Sequence, residues 1–241
     1  MREWVNSTVN LIGSQQPNRI LEIGCGTGLL LSRIAPYCGQ YWATDFSSAA
    51  LQQIEQLKQT TDSLEHVVLF NRKADNWSEI DRESFDTVIL NSVVQYFPSI
   101  TYLLDVLQKA VNVVKSSGYL FIGDVRSFPL LKAYHTSVQL FQAAASLTQL
   151  ELQHHLQQSL GQEEELAIDP TFFLALKQHN PRITIVNIQP KRGRYHNELT
   201  RFRYDVILQV GGHVSSTETE IAWQDWQKYP FTLSSLRQQL V

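Results

Sequence analysis

The chain has little cysteine, no excess of charge of either sign and no long apolar run, and each shortage excludes a class of function. Cys25 and Cys38 are its only cysteines. Two are too few for a disulfide framework, so the expected compartment is the reducing cytoplasm. The 20 Lys and Arg residues stand against 23 Asp and Glu, a net charge of −3. Such a balance creates no field to hold a phosphate backbone, so no nucleic acid partner is expected. No apolar stretch approaches the roughly 20 residues that span a bilayer. Arg2, Glu3, Asn6 and Asn10 interrupt the N-terminal stretch where a signal peptide would need an apolar core. The expected protein is soluble and has no membrane partner. Metal-ligand spacings are missing too: His154 and His155 are adjacent in a helical stretch and point in different directions. There is no internal repeat and no low-complexity tract.

What is present is a core. Of 241 residues, 43% are apolar, enough for one large α/β domain or for a domain with a small appendage. Between residues 19 and 125, apolar runs alternate with helical patterns, which predicts βαβ units and a parallel sheet. The strands are expected at Arg19–Ile23, up to Asp45, at Glu65–Phe70, Phe85–Asn91 and Tyr119–Val125. Ser47 is placed to cap a helix carrying Leu51, Ile54 and Leu57. Ile100, Leu103, Leu104, Leu107, Val111 and Val114 mark one face of another, ended by Gly118.

Residues 127–180 change the rhythm to helix, with no strand expected until Arg182–Ile188. An insertion here falls over the carboxyl edge of the sheet as a lid. The alternative is a helical layer covering the sheet face through Leu140, Phe141, Leu147 and Leu150. Residues 201–210 begin with strict alternation and predict an antiparallel strand near the edge. The tail, 211–241, adds nothing the sheet needs. Its Trp223, Trp226, Tyr229 and Phe231 suggest packing in a flanking domain of a longer polypeptide, and the domain proper is expected to end at residue 210.

The chemistry starts at the loop Gly24-Cys25-Gly26-Thr27-Gly28 after the first strand. Glycines let the backbone turn sharply and approach a ligand at the N-terminus of the next helix. The pattern is one residue shorter than the G-x-G-x-x-G of dinucleotide binders, and Glu22 stands before it. A carboxylate there repels a pyrophosphate and suits a ligand with a sulfonium and an amino group. S-adenosylmethionine is therefore favoured over NAD. Asp45 lies 21 residues after Gly24, where an acid accepts from ribose hydroxyls or, more plainly, caps a helix. Asp75, Asn76 and Trp77 are placed to bind and stack on adenine, or to form a simple Asx-turn.

The strings EIGCGTGLLL, ATDFS, VILNSVVQYFP, GDVRS, EEELAIDPTFF and GRYHNELTRFRYDV carry a family resemblance. Residues 19–125 resemble class I S-adenosylmethionine-dependent methyltransferases. Residues 1–210 resemble the methyltransferase domains embedded in nonribosomal peptide synthetases. The resemblance implies an α/β, Rossmann-like class I methyltransferase fold, with a mostly parallel seven-stranded sheet, a helical lid insertion and an antiparallel last strand. It implies N-methylation of an aminoacyl or peptidyl amine on a carrier protein with a phosphopantetheine arm, beside an adenylation domain. The alternatives are O-methylation of a tethered hydroxyl and a non-catalytic scaffold. Carried over, Glu22, Gly24, Cys25, Gly26, Gly28, Asp45, Phe46, Asp75, Asn76, Trp77 and Asn91 would line the cofactor. Gln95, Tyr96, Asp124, Arg126, Tyr195, His196, Asn197 and Glu198 would face the substrate. If residues 195–198 are extended, His196 and Glu198 share a side as a base and its orienting acid. An α-amine, titrating near about 7.7–8.0, needs no such base; a hydroxyl does. Lys191, Arg192, Arg194, Arg201 and Arg203 form a basic cluster, read as a solvated turn or as a dock for an acidic carrier.

Overall fold

Apolar runs without alternation mark strands buried on both faces, and the central strands are built from them. The computed structural model describes residues 2–144, 146–191, 193–212 and 232–239. In it, β1 spans Arg19–Ile23, β2 Gln40–Asp45, β3 Val67–Asn71, β4 Phe85–Asn91 and β5 Val114–Ser127. β6 (Ala167–Ile168), β7 (Ile183–Pro190) and β8 (Arg203–Val210) follow. The order across the sheet is β3-β2-β1-β4-β5-β8-β7, with β6 beside β5. Strands β1 to β5 pair in parallel, and β8 runs antiparallel to both β5 and β7. This is the Rossmann-like class I methyltransferase arrangement with its antiparallel last strand. β6 is an addition that residues 127–180 did not lead us to expect. It is two residues long, paired with Arg126 and Ser127, and too short to show a period.

Because side chains alternate across a strand, each strand feeds two cores. Leu21, Ile23, Val88, Leu90, Leu120, Ile122, Val206 and Leu208 pack on one face with α4 (Ile100–Val113) and α7 (Thr171–His179). Ile20, Ile89, Phe121 and Ile207 face the other way, against α1 (Arg2–Gly13), α2 (Leu31–Ile34) and α3 (Ser48–Gln59). Ser47 caps α3 by accepting from Ala50 N at 3.3 Å, and Ser99 caps α4 by accepting from Tyr102 N at 3.1 Å. On α4, Leu103, Leu107 and Val111 are fully buried, each contributing about 1.5–3 kcal/mol.

Three local expectations are corrected. Gly118 does not end α4: β5 begins at Val114, and residues 115–118 bulge before pairing resumes at Thr87↔Tyr119. A side chain at Gly118 would meet the Asp86 carbonyl at 2.6 Å, so the glycine serves that close approach. Second, α5 (Leu131–Gln142) and α6 (Gln149–Gly161) do not cover the sheet through the residues proposed for it. Both helices lack buried residues, and Leu140, Phe141 and Leu150 are 56%, 91% and 77% exposed. Third, residues 195–198 form no continuous extended segment: Asn197 N donates back to Tyr195 O at 3.1 Å, and Asn197 caps α8 (Glu198–Phe202), which precedes β8. Helix α9 (Leu233–Gln239) follows later. Trp223, Trp226, Tyr229 and Phe231 lie outside the described residues.

Candidate active site

Strand order reverses between β1 and β4, and the crevice at such a switch point takes ligands in open α/β sheets. A cleft of about 750 Å³ lies here. One wall is the glycine loop. Gly24 and Gly26 have φ of 72° and 53°, and a side chain on Gly24 would collide with Val93, beyond the end of β4. Gly24 N and Cys25 N both donate to Thr44 O, at 2.7 and 3.0 Å. Gly26 N donates to Asp45 Oδ2 at 2.8 Å, while Asp45 Oδ1 accepts from Ser47 N at 2.8 Å. Asp45 therefore braces the loop and the turn into α3 with one lone pair per oxygen. The remaining lone pairs can accept from a ligand. Phe46, 76% exposed, and Asp75 line the same cleft. Burial and the neighbouring Asp75 carboxylate hold the Tyr102 phenol above its ordinary range.

Other expected cofactor residues fall elsewhere. Glu22 is buried under the loop, accepting from Tyr41 Oη at 2.8 Å, and it is not among the residues lining the cleft. Burial pushes its carboxyl up to about 7, against the hydrogen bond from Tyr41. Cys25 is a core residue whose thiol burial pushes up. Gly28 turns the backbone with φ 80° where a side chain would press on Ile54. Asn76 forms the Asx-turn, its Oδ1 accepting from Ser78 N at 3.1 Å and Ser78 Oγ at 2.6 Å. Trp77 packs against the core near Leu21 and Ile80. Phe46 and Tyr96, not Trp77, are exposed aromatics that line the cleft.

On the β4 side, Ser92, Val93 and Tyr96 line the cleft. Asn91 and Gln95 are 8% and 2% exposed, and Asn91 Oδ1 and Gln95 Oε1 have no hydrogen-bond partner. Unpaired buried acceptors are costly and call for a donor. Asp124 and Arg126 are committed to ion pairs. Arg126 Nη1 donates to Glu163 and Glu165 at 2.8 and 2.9 Å, and His135 Nε2 meets Glu163 at 2.9 Å. These contacts, with Leu166 N donating to Gln95 O at 2.8 Å, fasten residues 163–166 to the sheet edge.

The expected His196–Glu198 pair is not formed. Glu198 sits in the first turn of α8 and holds Arg203 at 2.5 Å. Tyr195, His196 and Asn197 are exposed in a separate groove of about 1200 Å³ against α1. The basic cluster is also smaller than its sequence. Lys191 is buried between Asp124 and Asp205, at 2.5 and 2.8 Å, and Arg203 is neutralised by Glu198. Arg192 lies outside the described residues. Burial pushes the Asp205 carboxyl up despite the opposing Lys191. Sequence reasoning missed Ser92, Trp4, Asp205, Glu163 and Glu165, and placed Lys191 in a basic surface cluster. Asp205 gave one signal, a charge leading into the apolar run of β8. Among the described residues no cluster of His, Cys, Asp and Glu could hold a metal, and no helix is long and apolar enough to cross a membrane.

The acceptors on Asp45 and Asp75 and the exposed ring of Phe46 suit a ligand with ribose and adenine groups, as S-adenosylmethionine has. Residues 21–120 match a family described as methyltransferase domain. Over 236 residues the chain is 49% identical to chondramide synthase cmdD of Chondromyces crocatus, covering 98% of the chain and 6% of that protein. It is 32% identical over 255 residues to nonribosomal peptide synthetase TES of Alternaria alternata, covering 100% of the chain and 5% of that protein. N-methyltransferase NodS from Bradyrhizobium japonicum shares the fold at TM-score 0.58 and 16% identity, over 86% of this chain and 95% of NodS. A second NodS structure is in complex with S-adenosyl-L-homocysteine.

Fold and site together define a class I S-adenosylmethionine-dependent methyltransferase. More particularly, the chain is a methyltransferase domain similar to those embedded in nonribosomal peptide synthetases, and it spans only a small fraction of such relatives.

Proposed function

We propose that this domain methylates the amine of an aminoacyl or peptidyl group tethered to a carrier protein, within a longer synthetase that also holds an adenylation domain. The observation that carries this reading is the lining of the cleft, which among the described residues includes no histidine and whose two carboxylates, Asp45 and Asp75, are the ones assigned to the cofactor. A hydroxyl nucleophile needs a positioned base in the transition state, whereas an amine is already partly neutral near pH 8. The imidazole that sequence reasoning put forward, His196, opens onto the groove against α1.

S-adenosylmethionine bound there would supply an electrophilic methyl group for the amine lone pair. The chain's own part is alignment and exclusion of water. Gly26, Asp45, Phe46 and Asp75 would hold the cofactor, and Ser92 offers an acceptor to an N–H group. Residues 127–180, fastened by Arg126, act as the lid, and the domain proper ends near residue 210. The test is incubation with S-adenosylmethionine and an aminoacyl-loaded carrier. Intact mass should show the gain of one methyl group; a carrier left unmodified would sink the reading.

A further inference from the structure

Ser92 lines the cleft beside the glycine loop. Its backbone and that of Asp124 both occupy the left-handed region, with φ of 57° and 61°. Non-glycine residues hold such conformations only where their surroundings over-determine them, and they cluster at functional sites. Ser92 follows the last residue of β4 and Asp124 lies within the adjacent β5, and the two bind each other: the Ser92 hydroxyl donates to Asp124 Oδ2. Asp124 is fully buried. Its other carboxylate oxygen takes Trp4 Nε1 at 2.9 Å and Lys191 Nζ at 2.5 Å. Asp205 completes the cage, accepting from Lys191 at 2.8 Å and from Asp124 N at 2.9 Å.

This cage decides what Ser92 can offer. A serine hydroxyl has one proton and two lone pairs. The proton is committed to Asp124, and Asn91 Nδ2 donates to Oγ at 3.3 Å. One lone pair is left. The lone pair left on Ser92 Oγ can only accept, so it selects a ligand group that donates, and an amine N–H is such a donor.

We propose that Ser92 Oγ accepts a hydrogen bond from the N–H of the substrate amine and so fixes the amine's orientation in the cleft. Asp124, clamped by Lys191, Trp4 and Asp205, is the positioning residue that keeps the Ser92 proton turned away. The proposal rests on the reading of the domain as an amine methyltransferase. Ser92 takes a hydrogen bond, not a proton; the proton that the methylated ammonium sheds goes to water.

The test uses the full chain, S-adenosylmethionine and an aminoacyl-loaded carrier. Ser92→Gly removes the hydroxyl while suiting the left-handed backbone, and Ser92→Ala is the second variant. Calorimetric titration with S-adenosylmethionine shows that each is folded. The single-turnover rate should fall about 10- to 100-fold in both, the usual worth of a hydrogen bond involving a charged group. Cofactor affinity should not change, and raising the pH should restore nothing, since no base is lost. Asp124→Asn should show a similar loss alone, and little further loss when combined with Ser92→Gly, because both act through one contact. Wild-type rates in Ser92→Gly would overturn the proposal. A drop in cofactor affinity matching the drop in rate would also overturn it, by assigning Ser92 to the cofactor. Additive losses in the double variant would remove Asp124 from the role given to it. If the unaltered chain leaves every amine-loaded carrier unmodified, the amine reading itself fails and the proposal falls with it.

Discussion

Arg126 and Glu163 meet at 2.8 Å, and this contact joins the end of β5 to the segment that follows α6. Arg126 also reaches Glu165 at 2.9 Å and lies 5.0 Å from the centre of the Tyr134 ring. Its side chain is 8% exposed, those of Glu163 and Glu165 are 14% and 31% exposed. Removing one partner of such a pair leaves charge without compensation, a loss on the order of 3 kcal/mol. Arg126→Met should therefore loosen residues 131–168 while sparing β1 to β4. Hydrogen exchange should quicken in the insertion and stay slow in the central strands. Unchanged exchange in residues 131–168 would show that Arg126 does not fasten them.

Asp45→Ala should weaken both the ligand site and the loop that forms it. The carboxylate holds Gly26 N and Ser47 N at 2.8 Å each, and charge-assisted hydrogen bonds are worth about 1.5–3 kcal/mol apiece. Affinity for S-adenosylmethionine should fall at least about tenfold by calorimetry, together with a lower melting temperature. A lower melting temperature with unchanged affinity would reduce Asp45 to a brace for the loop.

How much of this was legible in the sequence depended on periodicity. Strands Arg19–Ile23 and Phe85–Asn91 were readable to the residue because each is built on apolar residues, Ile20, Leu21 and Ile23 in one and Phe85 and Val88, Ile89 and Leu90 in the other, with turn residues beyond. Ser47 was readable as a cap for the same local reason. The insertion helices were visible but their apolar residues misled, since Phe141 and Leu150 point to solvent. Tyr195–Glu198 looked extended because the next residues alternate, yet Asn197 caps a helical turn first. Lys191 looked like one more solvated base, and only the fold brings Asp124 and Asp205 to it from positions 67 residues upstream and 14 residues downstream. Ser92 carried no signal at all, because a backbone angle and a buried partner leave no pattern.

Glu22 makes stability depend on pH. Its carboxyl is raised from 4.5 to about 7 by burial, so the folded state holds the proton more tightly than the unfolded chain. The contribution is fully present below about 4.5 and is lost as pH rises through about 7, on the order of 3 kcal/mol in all. Glu22→Gln keeps an acceptor for Tyr41 and removes the titration. Denaturant melts should give equal stabilities near pH 4.5 and a more stable variant at pH 8. A difference that does not vary with pH would contradict this origin.

The central claim is that the cleft methylates an amine and is not built to activate a hydroxyl. One carrier protein, loaded either with an amino acid or with its hydroxy-acid counterpart, tests this in parallel reactions with S-adenosylmethionine followed by intact mass. The account predicts one added methyl group on the amine-bearing carrier and a rate about 10²-fold or more lower on the hydroxyl, the usual worth of the missing base. Equal rates, or methylation of the hydroxyl alone, would contradict it.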